Sequence, residues 1–313
     1  MLFGRNLQDH AQIRALIADV RAAVGADDLL VLIDQEGGRV QRLRPPLGRA
    51  LPPAAAYGGL YGLDPDDAVT AAREATRLLA ADLVDLGINT DCAPVLDVPV
   101  AGSHDIIGDR AYGRSVAQVV ALAGAVADGF MAGGVLPVIK HIPGHGRATA
   151  DSHLALPVVS EPRAELMVTD FAPFKALNRI PAAMTAHVVF RDIDPDAPAS
   201  TSAIVTAEII RGVIGFDGLL MSDDLTMKAL TGPMRQRAAA VIGAGSDLAL
   251  HCSGDLSEMI EAADGAGNLA GRAQARFETA IKVTKRAEPF DSGAAEAQLA
   301  KVLAYAARAA ESV

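Results

Sequence analysis

Tryptophan is absent from this sequence and aromatic residues make up only 4% of it, while alanine is abundant. That composition suits a helix-rich α/β enzyme whose helices pack closely. The two cysteines, Cys92 and Cys252, lie far apart and form no metal-ligand spacing. Each sits in an apolar run, which predicts buried thiols rather than a disulfide. No basic run offsets the net charge of -10, so nucleic acid and anionic membrane are excluded as partners. The start, M-L-F-G-R-N-L-Q-D-H, has no apolar stretch behind a basic head, and no apolar run is long enough to span a bilayer. The expectation is a cytoplasmic protein without a membrane anchor.

Half of the 313 residues are hydrophobic, enough for a large core. Short apolar runs alternate with amphipathic segments. Candidate strands are Leu29–Asp34, Ile88–Pro94, Val135–His141, Ala182–Val189, Leu219–Asp223 and Asp247–Cys252. Candidate helices include Ala11–Val24, Asp67–Leu86, Val116–Gly133, Ala164–Asn178 and Thr206–Ile214. This alternation implies parallel strands with helical crossovers. Asp34, Asp91, His141, His187, Asp223 and His251 fall at the C-terminal ends of different strands, the ends that converge on one mouth in a barrel. No G-x-G-x-x-G follows a strand and no Walker A sequence occurs, which argues against a doubly wound nucleotide-binding sheet. The expectation is one (β/α)8 TIM-barrel-like domain over residues 1–313, without a cofactor.

Three segments carry chemistry. In D-Q-E-G-G-R-V-Q-R, Asp34 to Arg42, an acid at a strand end precedes paired glycines that allow close approach of backbone and ligand. Asp34 can accept two sugar hydroxyls, with Arg39 or Arg42 holding acceptors or bracing the acid; a rim salt bridge suits Arg39. In K-H-I-P-G-H-G-R-A-T-A-D-S-H, Lys140 to His153, the His141/His145 spacing resembles a helical metal pair, but Pro143 and Gly144 break any helix there. No metal is expected. Lys140 and His141 can donate to substrate hydroxyls. Asp151 and His153, two apart, form either a carboxylate–imidazole acid/base or a hydrogen bond that stabilises the loop; spacing leaves both open. In L-L-M-S-D-D-L-T-M, Leu219 to Met227, two acids end an apolar strand and only one can face the mouth. A fourth segment, I-I-G-D-R-A-Y-G, offers Arg110 to a sugar hydroxyl or an acetamide carbonyl, with Asp109 and Tyr112 shaping the loop.

Taken in order, these segments and N-T-D-C-A-P-V-L-D-V resemble glycoside hydrolase family 3, in its bacterial β-N-acetylglucosaminidase branch. The resemblance runs to about Gly254. It implies retaining hydrolysis of terminal β-linked N-acetylglucosamine, with Asp223 as nucleophile, His153 as acid/base and Asp151 as its partner. It also implies sugar contacts at Asp34, Arg42, Arg110, Lys140 and His141. The substrate it implies is a small glycoside, the GlcNAc-1,6-anhydro-N-acetylmuramoyl peptide of peptidoglycan recycling, handled by a monomer. Phosphorolysis of the same bond stays open. Relatives carry a short segment before L-F-G-R-N, so the N-terminal edge of the barrel is expected to be cut short.

Overall fold

The computed structural model describes residues 1–26, 28–148 and 156–311. Ten strands are formed: β1 (Leu32–Ile33), β2 (Gln35–Gly37), β3 (Val40–Gln41), β4 (Thr90–Asp91), β5 (Leu136–Ile142), β6 (Val158–Val159), β7 (Ala182–Thr185), β8 (Val189–Phe190), β9 (Leu219–Asp224) and β10 (Leu248–Leu250). Six of them make one parallel sheet in the order β1-β4-β5-β7-β9-β10. Each strand of that sheet overlaps one of the six candidate runs of the sequence, β5 and β9 extending one residue beyond theirs, to Ile142 and Asp224. The other strands form two small pairs, the antiparallel hairpin β2-β3 and the parallel pair β6-β8.

The expectation of a closed eight-stranded barrel is therefore wrong. Among the described residues the main sheet has six strands, and its ends, β1 and β10, share no ladder. β6 and β8 pair with each other instead of joining it. Alternating apolar and polar residues mark where strands run, whereas closure depends on tilt and stagger between strands, which no local pattern encodes. The N-terminal residues lie between the two ends. Leu2 pairs in parallel with Ile33, the Met1 sulfur is 3.8 Å from that of Cys252, and Arg5 donates to the Cys252 carbonyl at 2.5 Å.

The core has two main parts. Leu32, Cys92, Leu136, Val138, Ala182, Met184, Leu219 and Met221 converge on one face of the sheet. The larger part fills the space between the sheet and its helices. The helices Pro65–Asp85 and Val116–Ala132 pack on each other there, the first burying Ala68, Ala72 and Ala75. A Cβ at Gly129 would stand 2.6 Å from the Arg73 carbonyl oxygen, so alanine and glycine set the approach distance. This is the close packing the alanine content implied. Both cysteines are free and buried.

The helix expected over 164–178 is two short ones, Arg163–Val168 and Ala172–Ala176. Pro173 has no N–H for the first helix to use and disfavours helical backbone just before it. Asp170, in the break, instead accepts from Arg147 at 2.7 Å. The segment Val205–Val213 winds as a π-helix. No helix among the described residues is long and apolar enough to cross a membrane.

Candidate active site

A cavity of about 340 Å³ opens at the C-terminal ends of the strands. Asp34, Arg42, Arg110, Lys140, His141 and Asp223, from four separate stretches of sequence, all line it. Asp151 and His153 lie outside the described residues.

The first wall is built by the β2-β3 hairpin. Gln35 is buried and braces it: its amide donates to the Leu43 carbonyl at 2.9 Å, and its oxygen accepts from the N–H groups of Arg42 and Leu43. Side chains two apart on an extended chain share a face. Asp34 and Glu36 accordingly both point into the cavity. The turn uses Gly37 and Gly38 at positive φ, and a Cβ at Gly37 would meet the Pro52 oxygen at 2.3 Å.

Five charges then alternate along this wall. Arg42 meets Asp34 at 2.8 Å, Asp34 meets Lys140 at 3.2 Å, Lys140 meets Glu36 at 2.6 Å, and Glu36 meets Arg110 at 2.8 Å. Glu36 was not selected from the sequence, although it stands two residues after Asp34; the i, i+2 rule was the signal. Arg39 is the rim salt bridge expected, to Asp109 at 2.8 Å, and it also donates to the carbonyls of Asp105, Ile106 and Ile107.

The floor comes from β5 and β9. Lys140 and His141 both reach the cavity because the register of β5 shifts between Lys140 and Ile142. The His141 Nδ1–H donates to Asp97 at 2.7 Å, which leaves Nε2 available. Asp97 is fully buried and also accepts from the N–H groups of His141 and His145, at 3.3 and 2.7 Å. Burial would raise its carboxyl, but the His141 charge and these hydrogen bonds win and hold it below the usual range. Asp97 carries no mark in the sequence: it stands third in V-L-D-V, three residues beyond the end of the candidate strand Ile88–Pro94. Burial and the adjacent His141 push His145 down to about 4, so that imidazole is neutral at pH 7.

Asp223 and Asp224 both line the cavity, contrary to the expectation that only one faces the mouth, and they differ instead in their hydrogen bonds. The carboxylate of Asp224 is occupied by Thr226 and by the Cys252 N–H, at 2.5 to 3.1 Å. Asp223 accepts from the Asp224 N–H at 2.8 Å. Burial opposes its ionisation, yet His141 first, then this N–H and Lys140, keep its carboxyl below the usual range. It is an anion at neutral pH.

The other polar strand ends do not line the cavity. His187 is buried and lowered by burial, hence neutral. Its Nε2–H donates to the Asp224 carbonyl at 3.0 Å and its Nδ1 accepts from the Ser200 hydroxyl at 2.7 Å. It thus braces the backbone that holds Asp223. His251 pairs with Glu258 at 3.1 Å. Asp91 lies beneath the hairpin, accepting from the Gln35 N–H at 3.0 Å.

Burial pushes the Asp91 carboxyl well above its ordinary value of 3.8, with the Gln35 N–H and Lys140 only partly opposing. The sign follows from linkage: the native state keeps a proton that the unfolded chain releases, so the contribution is most favourable below 3.8 and is lost as pH rises. Thermal melts from pH 4 to pH 8 should show the wild type losing stability relative to Asp91→Asn as pH increases. Parallel curves for the two proteins would refute this.

The site is thus a sugar-sized pocket with one free carboxylate at its floor and a wall of fixed donors and acceptors, the equipment for displacement at a glycosidic carbon. Comparisons with known proteins agree with that class. Residues 1–284 match the glycosyl hydrolase family 3 N terminal domain. A beta-hexosaminidase of Alkalilimnicola ehrlichii is 40% identical over 257 residues, covering 81% of this chain and 73% of the relative. The crystal structure of native NagZ from Neisseria gonorrhoeae superposes with a TM-score of 0.84 at 34% identity, over 96% of this chain and 89% of that one. A family 3 beta-N-acetylglucosaminidase from Paenibacillus gives 0.85 at 30% identity; the alignment covers 97% of this chain but 62% of that one, less than two thirds. The chain belongs to glycoside hydrolase family 3. It is accordingly a glycoside hydrolase.

Proposed function

We propose that this protein is a retaining β-N-acetylhexosaminidase that removes terminal β-linked N-acetylglucosamine. The observation that carries the reading is the ionised Asp223 at the floor of a sugar-sized pocket, with the neighbouring Asp224 carboxylate occupied by Thr226 and the Cys252 N–H. The names of the relatives, beta-hexosaminidase and beta-N-acetylglucosaminidase, support the choice of sugar.

In this mechanism an oxygen of Asp223 attacks the anomeric carbon as the bond to the leaving oxygen breaks, and His153 gives that oxygen a proton. The product of the step is a glycosyl ester on Asp223. Water then attacks the same carbon, its proton passes to His153, and the ester bond breaks, leaving Asp223 ionised again. Asp151 holds the His153 ring and favours its protonated form. Asp34, Arg42, Lys140 and His141 bind sugar hydroxyls, and Arg110 binds a hydroxyl or the acetamide carbonyl. The likeness to NagZ-type proteins supports GlcNAc-1,6-anhydro-N-acetylmuramoyl peptides of peptidoglycan recycling as substrate, in the cytoplasm, with one chain sufficient for activity.

The test is to trap the intermediate with a fluorinated N-acetylglucosamine analogue and locate the label by mass spectrometry. We expect the label on Asp223. A label on Asp224, or none from a turned-over analogue, would reject the assignment. Turnover unchanged by added phosphate is expected of a hydrolase.

A further inference from the structure

We propose that Glu36 is a positioning residue of this active site, holding Arg110 and Lys140 so that their unused N–H groups face the sugar. The inference rests on the glycosidase reading above and deepens it. Both carboxylate oxygens of Glu36 are already engaged by cations. One of its oxygens accepts from Arg110 Nη2 at 2.8 Å and meets Lys140 Nζ at 2.6 Å, and the other accepts from Arg110 Nε at 2.9 Å. Its side chain is only 7% exposed. It therefore acts through the two cations.

The donors left over support that role. Lys140 has three N–H bonds; Glu36 and Asp34 take two, which leaves one. Arg110 has five; two go to Glu36 and one to the Ile106 carbonyl at 3.1 Å, which leaves two. Three N–H groups on two side chains from different elements thus depend on one carboxylate for their direction. A bidentate contact to Arg110 fixes the plane of the guanidinium as well as its distance.

The electrostatics point the same way. The Glu36 carboxyl is held far below its usual range: burial opposes this, but the charges and hydrogen bonds of Lys140 and Arg110 dominate. Lys140 is held above the usual lysine range, Glu36 and then Asp34 outweighing burial. The other charged or titratable groups around Lys140 are Arg110, Cys92, Asp91 and Asp223. Glu36 is thus the largest influence favouring the ammonium form. Without it, two buried cations would face each other with Asp34 alone beside Lys140.

A role confined to folding the hairpin fits less well. The side chain of Gln35 makes the contacts that close the hairpin backbone, whereas the hydrogen bonds and ion pairs of the Glu36 side chain go to Arg110 and Lys140.

The experiment compares wild type, Glu36→Gln and Glu36→Asp. It measures kcat and KM on an aryl β-N-acetylglucosaminide across pH, the melting temperature, and the acylation of Lys140 by acetic anhydride, read by mass spectrometry. Glu36→Gln should melt cooperatively, with kcat/KM about 10- to 100-fold lower at pH 7, the scale of a misplaced contact group. Its alkaline limb should move to lower pH, and Lys140 should acylate faster at a given pH. Glu36→Asp, which keeps the charge, should restore slow acylation. Wild-type kcat/KM in Glu36→Gln, or a loss that only tracks the unfolded fraction with the pH profile and Lys140 reactivity unchanged, would overturn the proposal. If the wild type turned over no β-N-acetylglucosaminide, the glycosidase reading would fail. Lys140 acylation would then decide on Glu36 alone, equal rates in wild type and Glu36→Gln rejecting it.

Discussion

Replacing Asp223 by alanine is expected to lower kcat on an aryl β-N-acetylglucosaminide by roughly 10⁴- to 10⁶-fold, the scale seen when a nucleophile is removed. The size follows from the site. Other carboxylates in the cavity are committed: Asp34 to Arg42 and Lys140, Glu36 to Arg110 and Lys140, and Asp224 to Thr226 and Cys252. None is placed to substitute. The protein should remain folded, because the Asp223 carboxylate has one hydrogen-bond donor, the N–H of its neighbour. Added azide should restore part of the activity by attacking the anomeric carbon in the space vacated by the carboxylate. That single displacement gives the α-glycosyl azide from a β-glycoside. Isolation of the β-azide would mean that attack comes from another face and that Asp223 is not the nucleophile.

The second large effect is expected at Asp97. Its carboxylate is fully buried and accepts from the His141 ring and from the N–H groups of His141 and His145. Alanine there would leave these donors without their acceptor. Breaking such a buried arrangement costs about 3–5 kcal/mol, which lowers the melting temperature by roughly 5–15 °C in a chain of this size. Asparagine separates stability from function. Its oxygen can still accept from one backbone N–H, but its amide NH₂ facing His141 Nδ1 would force the other tautomer and move the proton to Nε2. We expect Asp97→Asn to melt closer to wild type than Asp97→Ala and yet to bind sugar more weakly, with KM raised at least several-fold. Unchanged KM in a folded Asp97→Asn protein would show that the His141 tautomer does not matter to the substrate.

Both effects trace back to features of unequal legibility in the chain. Asp223 could be read as one of two candidates, because an acid at the end of an apolar strand is visible as such, and family resemblance then chose between the pair. The structure supplies a physical reason for the same choice in the hydrogen bonds that occupy Asp224. Asp97 carried no such mark. It lies past the end of its strand, and its importance comes from His141 and His145, which are 44 and 48 residues away. Glu36 was one alternation step from a residue already selected, but its partners Arg110 and Lys140 come from distant segments. Conversely, Asp91, His187 and His251 looked equivalent to the site residues, since each ends a strand. They fall outside the cavity because side-chain direction at a strand end depends on local register and packing.

The sequence by itself determined the six parallel strands, the close-packed alanine-rich helices between them, the buried thiols and the family. Those features are written in local periodicity, in residue size and in short ordered motifs. Tertiary structure alone decided that the sheet stays open between β1 and β10, with Leu2 paired to Ile33 and Met1 beside Cys252 at that seam. It alone strung Arg42, Asp34, Lys140, Glu36 and Arg110 into one alternating row of charge. Closure is set by stagger between strands far apart in the chain, and a charge acquires its function from the partner that folding brings within 3 Å. Neither quantity exists until the chain is folded.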